Sequence, residues 1–162
     1  MKKQFLIFLL LLSFVGSVSA QIKEAQKIGE FDAVGCDDLR QRLDLLAMEV
    51  NKLPKSKGYN IVYEGKNIKY KLDRNGNMRP TKETILPVFA QSAINTQLMM
   101  RHLLGFRNLP KESFLFISGG YRELYTVELW LVPDGTILKP MPNLTKMNYR
   151  KGKPIDICEG IG

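Results

Sequence analysis

The chain has 162 residues, 44% of them hydrophobic and 25% charged, with a formal net charge of +8. That length suits one domain with a single core, and the ordinary globular composition excludes a disordered or low-complexity chain. One histidine and two distant cysteines supply no His-x-x-x-His or Cys-x-x-Cys spacing, so neither a metal nor another cofactor is expected.

Lys2 and Lys3, the apolar run from Phe5 to Leu12 and the small residues Val18-Ser19-Ala20 form the three regions of a secretory signal peptide over residues 1–20. The run is short of the roughly 20 residues needed to span a bilayer. Nothing after residue 20 is long and apolar enough to cross one. The mature chain is therefore expected to begin near Gln21, to carry a net charge of +6, to have no transmembrane segment and to work in the periplasm or outside the cell. In an oxidising compartment Cys36 and Cys158 read as a disulfide, the alternative being two free thiols.

Ile28 to Val34 is a candidate first strand with Phe31 facing inward. Asp37 and Asp38 then open an amphipathic helix in which Leu39, Leu43, Leu46, Val50 and Leu53 recur at helical spacing, and Pro54 stops it. Tyr59 to Tyr63 reads as a buried strand. Residues 65–82 are polar and basic, with a turn at Asp73-Arg74-Asn75-Gly76-Asn77 and a candidate short extra strand from Ile68 to Leu72. A second helix is expected from Thr84 to Leu104, with Pro87 in its first turn and Phe89, Ala93, Leu98, Met99 and Leu103 among its apolar positions. Phe114 to Ser118 and Leu124 to Val132 are strands, expected to pair as an antiparallel hairpin through a sharp turn at Gly119-Gly120. After Pro133 the sequence loses periodicity. The order predicts an α+β fold, a two-layer sandwich with two helices on one face of a mixed sheet (β-α-β-α-β-β), over residues 21–133. Residues 134–162 are expected to form an irregular tail pinned by Cys158.

Leu43 to Val50, the strand from Tyr59 to Glu64 closing on Gly65, the helix through Arg101-His102-Leu103-Leu104 and Phe114 to Tyr121 together resemble the C-terminal OmpA-like domain, a peptidoglycan-binding module of bacterial envelopes. The segment from Gly119 to Pro133 also resembles a group of uncharacterised exported bacterial proteins. The resemblance covers about residues 28–133 and rests on order and spacing. It implies an OmpA-like scaffold in the cell envelope. The family's Gly-His-x-Asp motif is replaced by Gly65-Lys66-Asn67-Ile68, and Asn95 stands at the position of its helix arginine. An aspartate pairs an ammonium and a forked guanidinium pairs a carboxylate, so binding of peptidoglycan by the family's mechanism is not expected.

His102 lacks an evident nucleophile or carboxylate partner in the sequence, and the Asp73 turn lacks the glycine and the glutamate of a calcium loop, where Met78 and Thr84 stand instead. Glu123 and Glu128 alternate with apolar residues as solvent-facing positions do. No catalytic residues can be named. Lys66, Lys69, Lys71, Arg74 and Arg79 form a candidate basic contact surface, suited to an anionic envelope polymer or an acidic protein. Nucleic acid is not an expected partner of an exported chain. The expectation is thus an exported non-enzymatic binding or structural module of the bacterial cell envelope, the alternative being an exported enzyme of unrecognised type.

Overall fold

A computed structural model describes residues 24–159, so the expected signal peptide lies outside the described residues. The elements are β1 (Gln26–Phe31), α1 (Cys36–Lys52), β2 (Ser56–Leu72), β3 (Met78–Ile85), α2 (Gln91–Met100), β4 (Phe114–Leu124) and β5 (Thr126–Pro133). The fold is α+β, with two helices and five strands. α1 follows its heptad: Leu39, Leu43, Leu46, Ala47 and Val50 are buried, and Asp37 and Asp38 occupy the first turn, where the helix dipole favours negative charge.

The main sheet has the order β1-β5-β2-β4. β5 lies antiparallel to β1 and to β2, whereas β4 runs parallel to β2. The second half of β2 leaves this sheet and pairs antiparallel with β3, from Asn67 opposite Ile85 to Leu72 opposite Met78. The extra strand expected at Ile68 to Leu72 is thus the continuation of β2, and its partner is β3. Both helices cover one face. Leu43, Leu46, Leu98, Met99 and Leu103 meet Val62, Val127, Leu129 and Leu131 in the core.

Two expectations need correction. The second helix does not start at Thr84, because Thr84 and Ile85 are held in the ladder opposite Ile68 and Asn67. Pro87 then keeps Leu86 out of the helical region, and α2 begins at Gln91 after Ala90 turns the chain with φ +65°. Phe89 precedes the helix and is exposed, and Ala93 is exposed too; Leu98, Met99 and Leu103 do face the core. α2 continues as a wider π-helical turn over Arg101–Phe106.

Nor do β4 and β5 pair with each other. β4 runs straight through Gly119-Gly120, where Gly120 at φ +83° coincides with a shift of register against Val62 and Tyr63, a bulge and not a hairpin turn. The chain reverses only after Leu124, crossing β2 from one edge to the other. The crossing sits on Gly65: a Cβ there would lie 2.1 Å from the Leu124 carbonyl carbon and 2.3 Å from the Tyr125 nitrogen, and Tyr125 N–H donates to Lys66 O at 3.0 Å. Gly65→Ala should therefore destabilise the fold by about 2–3 kcal/mol, because backbone and not a flexible side chain must move. A urea midpoint indistinguishable from the parent's would contradict the tight crossing.

The tail is irregular but bound. Asn143 and Leu144 N–H donate to Tyr121 O, Arg150 N–H donates to Pro87 O at 3.0 Å, and Cys158 is disulfide-bonded to Cys36, with Cα atoms 5.1 Å apart. No described helix is long and apolar enough to cross a membrane.

Candidate functional site

The end of β1, the first turns of both helices, the β4–β5 crossing and the tail leave a cavity of about 210 Å³, partly open to solvent. Phe31, Val34, Leu39, Val88 and Met99 give it an apolar lining, completed by Ile155 and Ile157 of the tail. Polar groups enter along one wall. Gln91 clamps the tail, donating through Nε2 to Ile155 O at 2.8 Å and accepting from Ile155 N–H at 2.9 Å. The same Nε2 donates to Asn95 Oδ1 at 3.0 Å, and Asn95 Nδ2 donates to the Tyr125 hydroxyl at 2.8 Å. Gln91 and Asn95 can act together because they stand four apart on one face of α2.

The relay ends on a group that can only donate further. Burial pushes the Tyr125 hydroxyl up to about 12, against the opposing hydrogen bond from Asn95, so it keeps its proton at any physiological pH. Its oxygen accepts from Asn95, and its proton is uncommitted among the described residues. Asn67 and Arg150 also line the cavity, Arg150 with its Nε held on Leu86 O at 3.1 Å. The lining carboxylate, Asp32, accepts from the Tyr70 hydroxyl at 3.0 Å. Beside the cavity, Glu64 accepts from Ser92 Oγ at 2.6 Å and from the Tyr149 hydroxyl, which burial and Glu64 push well above the usual phenol range. The wall therefore presents the neutral groups of Gln91, Asn95, Tyr125 and Asn67, with Arg150 and Asp32 beside them, among apolar side chains, the pattern of a ligand seat.

Other chemistry-bearing residues are tied elsewhere. His102 is buried on the π-helical turn, with Nε2 2.7 Å from Asp44 Oδ1, and Arg107 holds the same carboxylate through Nε at 2.8 Å and through Nη2. Burial raises the Asp44 carboxyl, but Arg107 and His102 outweigh that and hold it below its usual range. The result is an electrostatic tie between the helices. Among the described residues no group of three or more His, Cys, Asp or Glu could hold a metal ion.

Glu128 corrects a reading from alternation. Glu123 is exposed as expected, whereas Glu128 is only 2% exposed. It points to the sheet face opposite the helices, and the tail covers it, with Met141 N–H donating to the Tyr63 hydroxyl at 3.1 Å. Its carboxylate receives Lys27 at 2.9 Å, Arg122 at 3.0 Å, Trp130 Nε1 at 3.0 Å and the Tyr63 hydroxyl at 3.3 Å. The signal in the sequence was Glu128 itself, set between Val127 and Leu129 with Trp130 two residues on and Arg122 six residues before.

Lys66, Lys69, Lys71, Arg74 and Arg79 all lie on the β2–β3 hairpin, outside the cavity lining. Lys69 and Lys71 share Glu83 at 2.8 and 3.6 Å, and Arg79 pairs with Asp73 at 3.1 Å. Asn95, the position of the family arginine in the resemblance, does line the cavity, together with Asn67. No protein family, curated protein or solved structure matches the chain.

Proposed function

We propose that the chain is an exported, non-enzymatic binding module of a bacterial cell envelope, on an OmpA-like scaffold in which Ile68 and Asn95 stand in place of that family's ligand aspartate and arginine. Its ligand seat is the cavity beside Tyr125. The observation that carries this is the relay Gln91–Asn95–Tyr125 set into an apolar wall. Export is supported by the charged, apolar and small-residue regions of residues 1–20 and by the disulfide, which persists in oxidising compartments.

The seat also indicates a ligand class. A cavity of about 150 Å³ holds a benzene ring, so this one admits a ring with a short side arm. The donors left to bond are the Tyr125 O–H, the N–H groups of the Asn67 carboxamide and the Arg150 guanidinium, and the Asp32 carboxylate is already engaged by Tyr70. These donors suit a small apolar molecule ending in a carboxylate or carbonyl. Titrating the oxidised protein with phenylacetate and following amide resonances should give saturable shifts confined to the cavity residues. Asn95→Leu, which keeps the volume and removes the relay, should weaken that binding by about tenfold. Shifts spread over the surface, or binding indifferent to Asn95→Leu, would overturn the assignment.

A further inference from the structure

We propose that the β2–β3 hairpin is a membrane-contact element that lies with its apolar face on an anionic lipid surface. From Asn67 to Leu72, β2 pairs only with β3, so the hairpin extends beyond the main sheet for about 20 Å at the usual strand rise. Leu72 stands opposite Met78 and Tyr70 opposite Pro80, which gathers four apolar side chains on one face. Folding leaves Leu72 69% and Met78 60% exposed and Pro80 exposed as well, while Tyr70, at 39%, has its hydroxyl on Asp32.

Charge identifies the occupant. Residues 66–85 hold six cations against Asp73 and Glu83. Those two carboxylates are already engaged by Lys69, Lys71 and Arg79, and Lys66, Arg74 and Lys82 have no carboxylate partner among the described residues. The hairpin is thus cationic and apolar together, with Lys71 and Arg79 on the face opposite Leu72 and Met78. A polyanion would use the cations and leave Leu72 and Met78 in water, whereas an anionic bilayer accommodates both, taking apolar side chains below its headgroups and holding cations at them. A second copy fits less well, since two cationic hairpins repel each other. Pro80, lacking an N–H, and the neighbouring Arg79 and Lys82 blunt the β3 edge against strand addition.

The test is sedimentation of the full mature chain, disulfide intact, with vesicles of phosphatidylcholine alone or mixed with phosphatidylglycerol. The protein should pellet with the mixed vesicles and stay in solution with the neutral ones. Leu72→Ser with Met78→Ser should lower partitioning about tenfold, because two apolar side chains no longer gain from leaving water. Neutralising Lys66, Arg74 and Lys82 to Gln should lower it about fivefold per cation. Lys66 stands at the base of the hairpin, opposite Leu124, and the other four positions lie beyond it; an unchanged urea midpoint would show that each variant keeps its fold. Absence from the mixed-vesicle pellet overturns the proposal. So does binding that the Leu72/Met78 change leaves untouched, which would mark a surface for polyanions. A concentration-dependent dimer that the same change dissolves would assign the face to a second copy and overturn it equally.

Discussion

Replacing Glu128 by alanine should cost the fold about 3–5 kcal/mol, the penalty for stranding buried charge. The carboxylate is almost wholly removed from water on the face that the tail covers, and four donors converge on it. Arg122 also stacks on the Tyr63 ring at 3.5 Å, and Lys27 lies 5.1 Å from the Trp130 ring centre. Without the anion, the half-buried Arg122 keeps only its bond to Met141 O and loses its countercharge, while Lys27 can still reach Glu30. Arg122→Met combined with Glu128→Met should therefore be milder than Glu128→Ala alone, since it removes the charges together.

The same network sets a pH dependence. Burial raises the Glu128 carboxyl, but hydrogen bonds from Lys27, Trp130 and Arg122 outweigh it and hold the group below its usual range. A depressed carboxyl stabilises the fold above its unfolded pKa, near 4.3 in model peptides, and loses that contribution as pH falls through the folded value. The parent's urea midpoint should thus drop on acidification below about pH 4, and the double methionine variant should show a smaller drop. Equal acid sensitivity in both would place the effect on other carboxylates.

What could be seen in the sequence was whatever local periodicity determines. α1 was legible because Leu39, Leu43, Leu46 and Val50 mark one helical face and Pro54 ends it. The heart of β2 was legible because Tyr59 to Tyr63 is flanked by turn residues, and the disulfide because two cysteines permit one intramolecular pairing. The hairpin was obscured because both of its faces meet solvent, so its strands lack the contrast of a half-buried sheet. Glu128 was hidden for a different reason. Alternation in β5 correctly separates Val127, Leu129 and Leu131 from Glu128 and Trp130, but it cannot say that an aperiodic tail returns to cover the second face. The route of β4 across β2 depends on one glycine, Gly65, whose neighbours are fixed only by the fold. The cavity draws its walls from α1, β2, α2, the crossing and the tail, and no window of sequence holds them together.

Removing the disulfide, by reduction or by Cys36→Ser with Cys158→Ser, should lower stability by about 2–5 kcal/mol and open the ligand seat at the same time. The bond joins residues 122 apart in sequence and anchors the tail at the first residue of α1. The tail segment next to it forms the cavity wall through Ile155 and Ile157, held otherwise by the Gln91 clamp on Ile155 and by an Arg101–Asp156 pair at 3.0 Å. That pair is exposed on the arginine side and contributes little alone. Further back the tail keeps Arg150 on Pro87 and Tyr149 on Glu64, so loosening should begin at the C-terminal end and stop near residue 149 before the core opens. Trypsin supplies the readout, because Lys151 is exposed and followed by Gly152, whereas Pro154 protects the bond after Lys153. In the reduced protein, cleavage there should release the last residues and abolish phenylacetate binding while the circular dichroism of the core persists. In the oxidised protein, the same cut should leave the fragment attached on a non-reducing gel. Retention of full phenylacetate affinity by the double serine variant would show that the tail holds its place through Gln91 without Cys158, and that the bond stabilises the fold without shaping the seat.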